Sequence, residues 1–436
     1  MIERGLEMKS LELLDYIEKA TSPFHVIEES AAFLKENGFE ELNMGSLWNL
    51  EKGGHYYTTL YGTTLYAFTI GKDLDLTGEP AFHIAAAHTD YPCLRVKPHP
   101  EMSDKNYLKI NIEPYGGLIR NTWLDRPLSI AGKVALKSDS IFKPETRLVD
   151  FRRPVVTVPG LAIHMNREVN KGVEINPQTE LLPLLATMEE GLNKNSFFID
   201  FLAKELSVEA SSILDFDLYI YNAESGCKIG MKEDFISAPR LDNLTSCAAC
   251  LNGIVNQSKE SQINVIALFD NEEIGSRTKQ GADSVNTNVL LEKIYAALGK
   301  DSVSLYSAVM NSFMISIDVA HGYHPNYGGK NDPTNVTQLN EGVILKLNSN
   351  QRYATDTEAV ASIQQLCQSY DIPYQKFVNR SDVAGGGTLG SLTSSWLPMK
   401  TVDMGVGLLS MHSARELMGV KDQESLNRLV TAFFQA

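Results

Sequence analysis

Val265 to Phe269 is an unbroken apolar run that stops abruptly at Asp270, Asn271, Glu272 and Glu273. Continuous aliphatic residues of this kind read as a strand buried on both faces, as in a parallel sheet covered by helices. The carboxylates then lie at the strand's C-terminal end, where open α/β sheets place their ligands. Two adjacent glutamates suggest two jobs, one binding a metal and the other moving protons. Neighbours on an extended chain point to opposite sides, so Glu272 and Glu273 cannot easily share one job. The competing reading is an ordinary acidic strand-to-loop turn, and the rest of the chain has to decide.

The pattern recurs. Ala81 to Ala87 is a second apolar run, and it ends in His88-Thr89-Asp90. An Asp beside a His is the usual arrangement in which a carboxylate holds one ring nitrogen while the other faces a metal. Phe313 to Ile317 ends in Asp318. Pro239 excludes a helix through its own position, so a helix starts after Asp242. Asp242 therefore reads either as an N-cap or as a metal bridge. His412 follows the strand Thr401–Gly405. One such position is unremarkable, but this many at equivalent places are hard to assign to chance. Histidines with several carboxylates suit zinc, cobalt or manganese. Two ions roughly 3.5–4 Å apart need one bridging carboxylate and one or two further ligands each. That set leaves one glutamate free to act as a base.

At 436 residues the chain is too long for one ordinary core. Its net charge of −15 argues against a nucleic-acid or membrane partner. Met1 to Lys19 has no uninterrupted apolar segment of the secretory type, and no stretch is long enough to span a bilayer. The five cysteines fit a reducing cytoplasm. Cys247-Ala-Ala-Cys250 has metal-like spacing without a second pair, and reads as small buried helix residues. Leu11–Ala20 has helical spacing, and Ser22-Pro23 opens a second helix as N-cap and first position. Tyr56–Leu60 and Thr64–Ile70 read as a hairpin. His83 lies inside its strand and reads as structural. From Leu94 to Gly230 the texture becomes β-rich, with strands at Tyr107–Ile112, Leu128–Leu136, Pro154–Val158 and Phe216–Tyr221. Helical patterns fall near Leu181–Leu192 and Phe197–Leu206. Gly385-Gly-Gly387 reads as a tight, ligand-facing backbone. The expected fold is α/β: a central mixed, mostly parallel sheet with helices on both faces, and an inserted β-rich domain.

Five motifs together resemble the M18 metalloaminopeptidases, the aspartyl aminopeptidase group in its bacterial form. They are His88-Thr-Asp90, Ala238-Pro-Arg-Leu-Asp242-Asn, Asp270-Asn-Glu-Glu273-Ile-Gly-Ser276, Asp318-Val-Ala-His-Gly-Tyr-His-Pro-Asn326 and Ser410-Met-His412-Ser. The likeness extends to Thr21-Ser-Pro-Phe-His25 and Asn350-Gln-Arg-Tyr353. It implies a catalytic domain of residues 1–93 and 231–436 and a dimerisation insert of residues 94–230. It implies two zinc ions per subunit, replaceable by cobalt or manganese. His88 and Asp318 would hold one ion, Glu273 and His412 the other, and Asp242 both. Glu272 would be the general acid/base, helping a metal-bridging water attack the first peptide bond, and Asp90 would orient His88. His164 would serve the neighbouring subunit's active site. Lys346 and His324 would bind substrate. The implied assembly is a tetrahedral dodecamer built from dimers. The segment Ser381–Thr388 departs from the eukaryotic wording, which leaves a preference for acidic N-terminal residues open.

Overall fold

The computed structural model describes residues 10–189 and 191–436. Met1–Lys9, the start of the segment read as lacking a secretory-type apolar run, and Glu190 lie outside the described residues. The chain forms two compact units: one runs to Asp90 and takes in Gly226–Met411 and Glu416–Ala436, the other contains Tyr91–Ser225 and His412–Arg415.

The first unit is built on a nine-stranded mixed sheet. Its centre is parallel: Ile263–Phe269 pairs with Phe82–His88, which pairs with Phe313–Ile317, which pairs with Lys400–Gly405. On one side the hairpin His55–Leu60 and Thr64–Ile70 adds antiparallel strands. On the other, Val343–Lys346 runs antiparallel to Lys400–Gly405. Every residue of Ile263–Phe269 is buried. Alternate residues serve opposite faces, as a strand's period of two requires. Ala85, Ala87, Ile266 and Leu268 pack with the helices Leu241–Asn256 and Val420–Gln435. Ile84, Ala86, Val265 and Ala267 pack with Asn286–Ala297 and Ser302–Met310. A Cβ on Gly253 would lie 2.5 Å from Val430 Cγ1, so only glycine allows those two helices to approach so closely. His83 packs edge-on against Phe433, and burial lowers its pKa to about 4. Ser22 caps Pro23–Glu36 by accepting the His25 N–H. A smaller five-stranded sheet includes Phe235–Ala238 and Glu416–Gly419.

The second unit holds a six-stranded antiparallel sheet in the order Glu145–Asp150, Leu128–Leu136, Ile213–Asn222, Cys93–Asp104, Tyr107–Tyr115, Leu184–Thr187. The helix Phe197–Leu206 forms where its spacing predicts. The pattern at Leu181–Leu192 does not make a helix. Pro183 has no N–H to continue one, its carbonyl accepts the Ile110 N–H, and Leu184–Thr187 becomes an edge strand. Pro154–Val158 forms only isolated bridges.

Candidate metal centre

Strand register brings the first candidates to one level. His88 lies opposite Phe269 in the parallel pair, so Asp270–Glu273 follow at the same edge. Asp318 follows Phe313–Ile317 and donates its N–H to the Met404 carbonyl. His88 is buried, and its Nε2 lies 3.4 Å from Asp242 Oδ1, 3.5 Å from Asp318 Oδ1 and 4.0 Å from Glu272 Oε2. Its Nδ1 lies 3.1 Å from the Asp90 carbonyl oxygen and 3.4 Å from Asp90 Oδ1. A carbonyl only accepts, so Nδ1 donates and Nε2 is turned toward the carboxylates. His88, Asp242 and Glu273 offer ligand atoms that all lie within 4.8 Å of one another. The buried Cys247 thiol donates to the His88 carbonyl at 3.0 Å, and burial pushes that thiol up to about 12.

The two glutamates do not continue their strand. Asn271 takes φ +64°, Glu272–Ile274 form a 3₁₀ turn, and Gly275 ends it at φ +98°. Successive 3₁₀ residues are about 120° apart, so the two side chains diverge through the turn and not through a strand's pleat. Asp90 fixes this turn: Glu272 N–H donates to its Oδ1 at 3.0 Å and Glu273 N–H to its Oδ2 at 3.1 Å. Asp242 lies inside the assigned helix Leu241–Asn256, but it and Asn243 leave helical geometry.

Burial and the surrounding carboxylates push Glu272 up to about 8, against the pull of His88. Burial and Asp242 push Glu273 well above its ordinary value. Burial opposes a charge on His88, but hydrogen bonds to Asp242, Asp318 and Asp90 outweigh it and raise its pKa. Such a cluster holds more negative charge than its own cations neutralise. One imidazole with several buried carboxylates suits zinc or a similar divalent ion.

Lys346 is 2% exposed, with Nζ 3.3 Å from Asp318 Oδ2, 3.0 Å from the Val319 carbonyl oxygen and 5.2 Å from the Tyr353 ring centre. Its ammonium thus meets Asp318 directly, a use that sequence reasoning did not foresee. His324 lies apart from the cluster contacts. It accepts the Asn326 N–H and lines a cleft of about 360 Å³ with His321, Tyr327, Arg380 and Gly385. Gly385 has φ +64°, and a Cβ there would meet the Asn379 side chain at 2.3 Å.

Two candidates belong to the second unit. His412 Nδ1 lies 3.2 Å from the Gly117 carbonyl oxygen, and the His412 carbonyl accepts the Ile119 N–H. Ala414 bonds to Thr122 and Asn222. These bonds group His412–Arg415 with that unit, although the sequence reading put them in residues 231–436. His164 is exposed in the turn that also exposes Leu161, Ile163 and Met165.

A buried imidazole–carboxylate cluster at the strand ends of such a sheet is the arrangement of a divalent-metal site. Residues 16–434 match the family described as aminopeptidase I zinc metalloprotease (M18). The "Probable M18 family aminopeptidase 2" of Clostridium acetobutylicum is 43% identical, covering 97% of each chain. Ape4 in its complex with Nbr1 superposes with a TM-score of 0.92 at 34% identity, covering 97% of this chain and 84% of that one. The S. cerevisiae mApe1 dodecamer gives 0.85 at 28% identity, covering 97% and 95%. The chain belongs to the M18 family and is a zinc-family metalloaminopeptidase. Among the described residues, no helix is long and apolar enough to cross a membrane.

Asp90→Asn puts an amide in place of one oxygen that accepts a glutamate N–H. It is expected to weaken zinc binding about 10–100-fold, read by titration of the metal-stripped protein against a chelator.

Proposed function

We propose that the chain is a di-zinc aminopeptidase that removes N-terminal residues from peptides. The observation that carries this reading is the convergence of Asp242, Asp318 and Glu272 on His88 Nε2 from separate chain segments. His88 and Asp318 would hold one ion, Glu273 the other, and Asp242 both. His412 is assigned as the remaining ligand by the Ser410-Met-His412-Ser motif alone. Bound there, zinc would polarise the scissile carbonyl and lower the pKa of the attacking water.

The chain's own residues have distinct tasks. Glu272 takes the water's proton and returns it to the leaving amine, the transfer a carboxylate held beside the attacking water can perform. Asp90 keeps His88 and the glutamate turn in register. Lys346 serves Asp318 and not an acidic substrate side chain, because its ammonium is already committed there. Residues 1–93 and 231–436 form the catalytic domain, and residues 94–230 an inserted dimerisation domain. His164, with its exposed apolar neighbours, would reach a partner subunit's site and steady the developing oxyanion. His324 would line the substrate approach. The dodecamer named for mApe1 is the assembly proposed here, with tetrahedral arrangement by resemblance. The cysteines, none of them disulfide-bonded among the described residues, support a cytoplasmic setting.

A panel of aminoacyl-p-nitroanilides run with zinc, cobalt and manganese tests the reading, and hydrolysis of N-acyl amino acids alone would refute it. Glu272→Gln should keep zinc content while turnover falls by orders of magnitude, about 10²–10⁴-fold for a lost general base. Wild-type turnover there would remove Glu272 from the mechanism. His164→Phe should impair activity at unchanged zinc content by metal analysis. Lys346→Met should lower kcat/KM equally on Asp, Glu and Leu substrates and weaken zinc binding. A loss confined to acidic substrates would instead make Lys346 their anchor.

A further inference from the structure

We infer that Glu416 is a positioning residue for Asp242, an assignment that rests on the reading of Asp242 as a metal ligand. The helix Leu241–Asn256 begins irregularly. Arg240 takes φ +60°, Asp242 has φ −82° and ψ 104°, and no side chain at residue 240 caps the turn. Backbone N–H groups at such a break need acceptors from elsewhere. Other helices here solve the problem locally: Asp301 accepts the Ser304 N–H, and Asp356 accepts the Ala359 N–H. At Asp242 the acceptor is Glu416 Oε2, at 3.0 Å and 174 residues away in sequence.

Glu416 is well placed to set a position. It is 3% exposed and opens the strand Glu416–Gly419. That strand pairs antiparallel with Phe235–Ala238, with Glu416 opposite Ala238. Phe235–Ala238 is the strand that feeds directly into the Arg240–Asp242 turn. The carboxylate is therefore fixed by the ladder of the segment whose next turn it holds. A hydrogen bond from N–H to carboxylate is charge-assisted and roughly twice as strong as a neutral one. It fixes the backbone from which the Asp242 carboxylate reaches to within 3.4 Å of His88 Nε2. Glu416 is not part of the His88–Asp242–Glu273 group, so it acts through Asp242. Burying one more carboxylate beside an acidic cluster is costly, and the charge-assisted bond from the Asp242 N–H offsets part of that cost.

The test is zinc affinity of the full chain, metal-stripped and titrated against a chromogenic chelator. Glu416→Met removes the acceptor, and Glu416→Asp keeps the charge but draws it back by one methylene. Both should raise the zinc Kd about 10–100-fold, the usual effect of losing a ligand's support. Glu416→Gln keeps an acceptor oxygen at the same reach and should restore most of the affinity. An unchanged Kd in Glu416→Asp overturns the assignment, as does a Gln variant as weak as the Asp variant. The Asp and Gln pair decides the matter if Glu416→Met does not fold. Asp242→Asn in the same titration separates the two levels. If it leaves Kd unchanged, the ligand reading of Asp242 fails. If it loses zinc while the Glu416 variants bind normally, only the positioning role fails.

Discussion

Asp90 is the residue through which two strands agree on one geometry. It is fully buried, its carbonyl accepts a hydrogen bond from His88 Nδ1, and its two carboxylate oxygens accept the N–H groups of Glu272 and Glu273. The first N–H groups of a helical turn have no partner within the turn, so some acceptor must be supplied. Here one carboxylate supplies both. Strand pairing has already set His88 and Phe269 side by side, so Asp90 has only to lock what the sheet has aligned. Imidazole direction and glutamate direction are therefore not independent: whatever moves Asp90 moves both.

Electrostatics explains why such locks are needed. Withdrawing an isolated charge from water costs several kcal/mol even after relaxation. This site gathers Asp90, Asp242, Glu272, Glu273 and Asp318 around one imidazole, with Lys346 behind Asp318. Burial raises Asp318, but Lys346 and His88 outweigh it and hold the carboxyl below its ordinary value. Glu272 and Glu273 feel His88 as well, but burial and the neighbouring carboxylates outweigh it and push them upward. Left to itself the cluster would relax by turning side chains outward or binding protons. The backbone bonds to Asp90 and Glu416 oppose the first of these routes, and a divalent ion would replace the second. The apolar packing on both faces of the sheet stabilises the unit that carries this strain.

Much of this was legible in the sequence because the signals were local. Apolar runs ending in ligand-type residues located His88, Glu272, Glu273 and Asp318 at strand ends. Ser22-Pro23 announced a helix, and the short strands Tyr56–Leu60 and Thr64–Ile70 announced a hairpin. Other features depended on partners far along the chain. The Leu181–Leu192 spacing is helical, but Pro183 and the free edge at Tyr107–Tyr115 made a strand of it. The glutamate pair looked extended, yet Asn271 at φ +64° turned it. Lys346 sits on a strand like any half-exposed lysine, and only the fold reveals that its ammonium meets Asp318. His412 follows a strand of the first unit, but its hydrogen bonds tie it to the second.

The legible and illegible residues divide by physical role. The candidate ligands are carried on side chains whose type and strand-end position leave a pattern. The residues that aim them accept backbone N–H groups, and any buried acceptor of the right length can do that. Asp90 meets the glutamate turn across 182 and 183 residues, and Glu416 meets Asp242 across 174. No periodicity encodes such distances. They follow from a different question: where do the N–H groups around each candidate ligand go? At Glu272, Glu273 and Asp242 alike the answer is a buried carboxylate from another segment. The buried acidic residues at this site thus fall into two sets, those facing the cluster and those behind it, and at Glu272, Glu273 and Asp242 the second set fixes the backbone from which the first points.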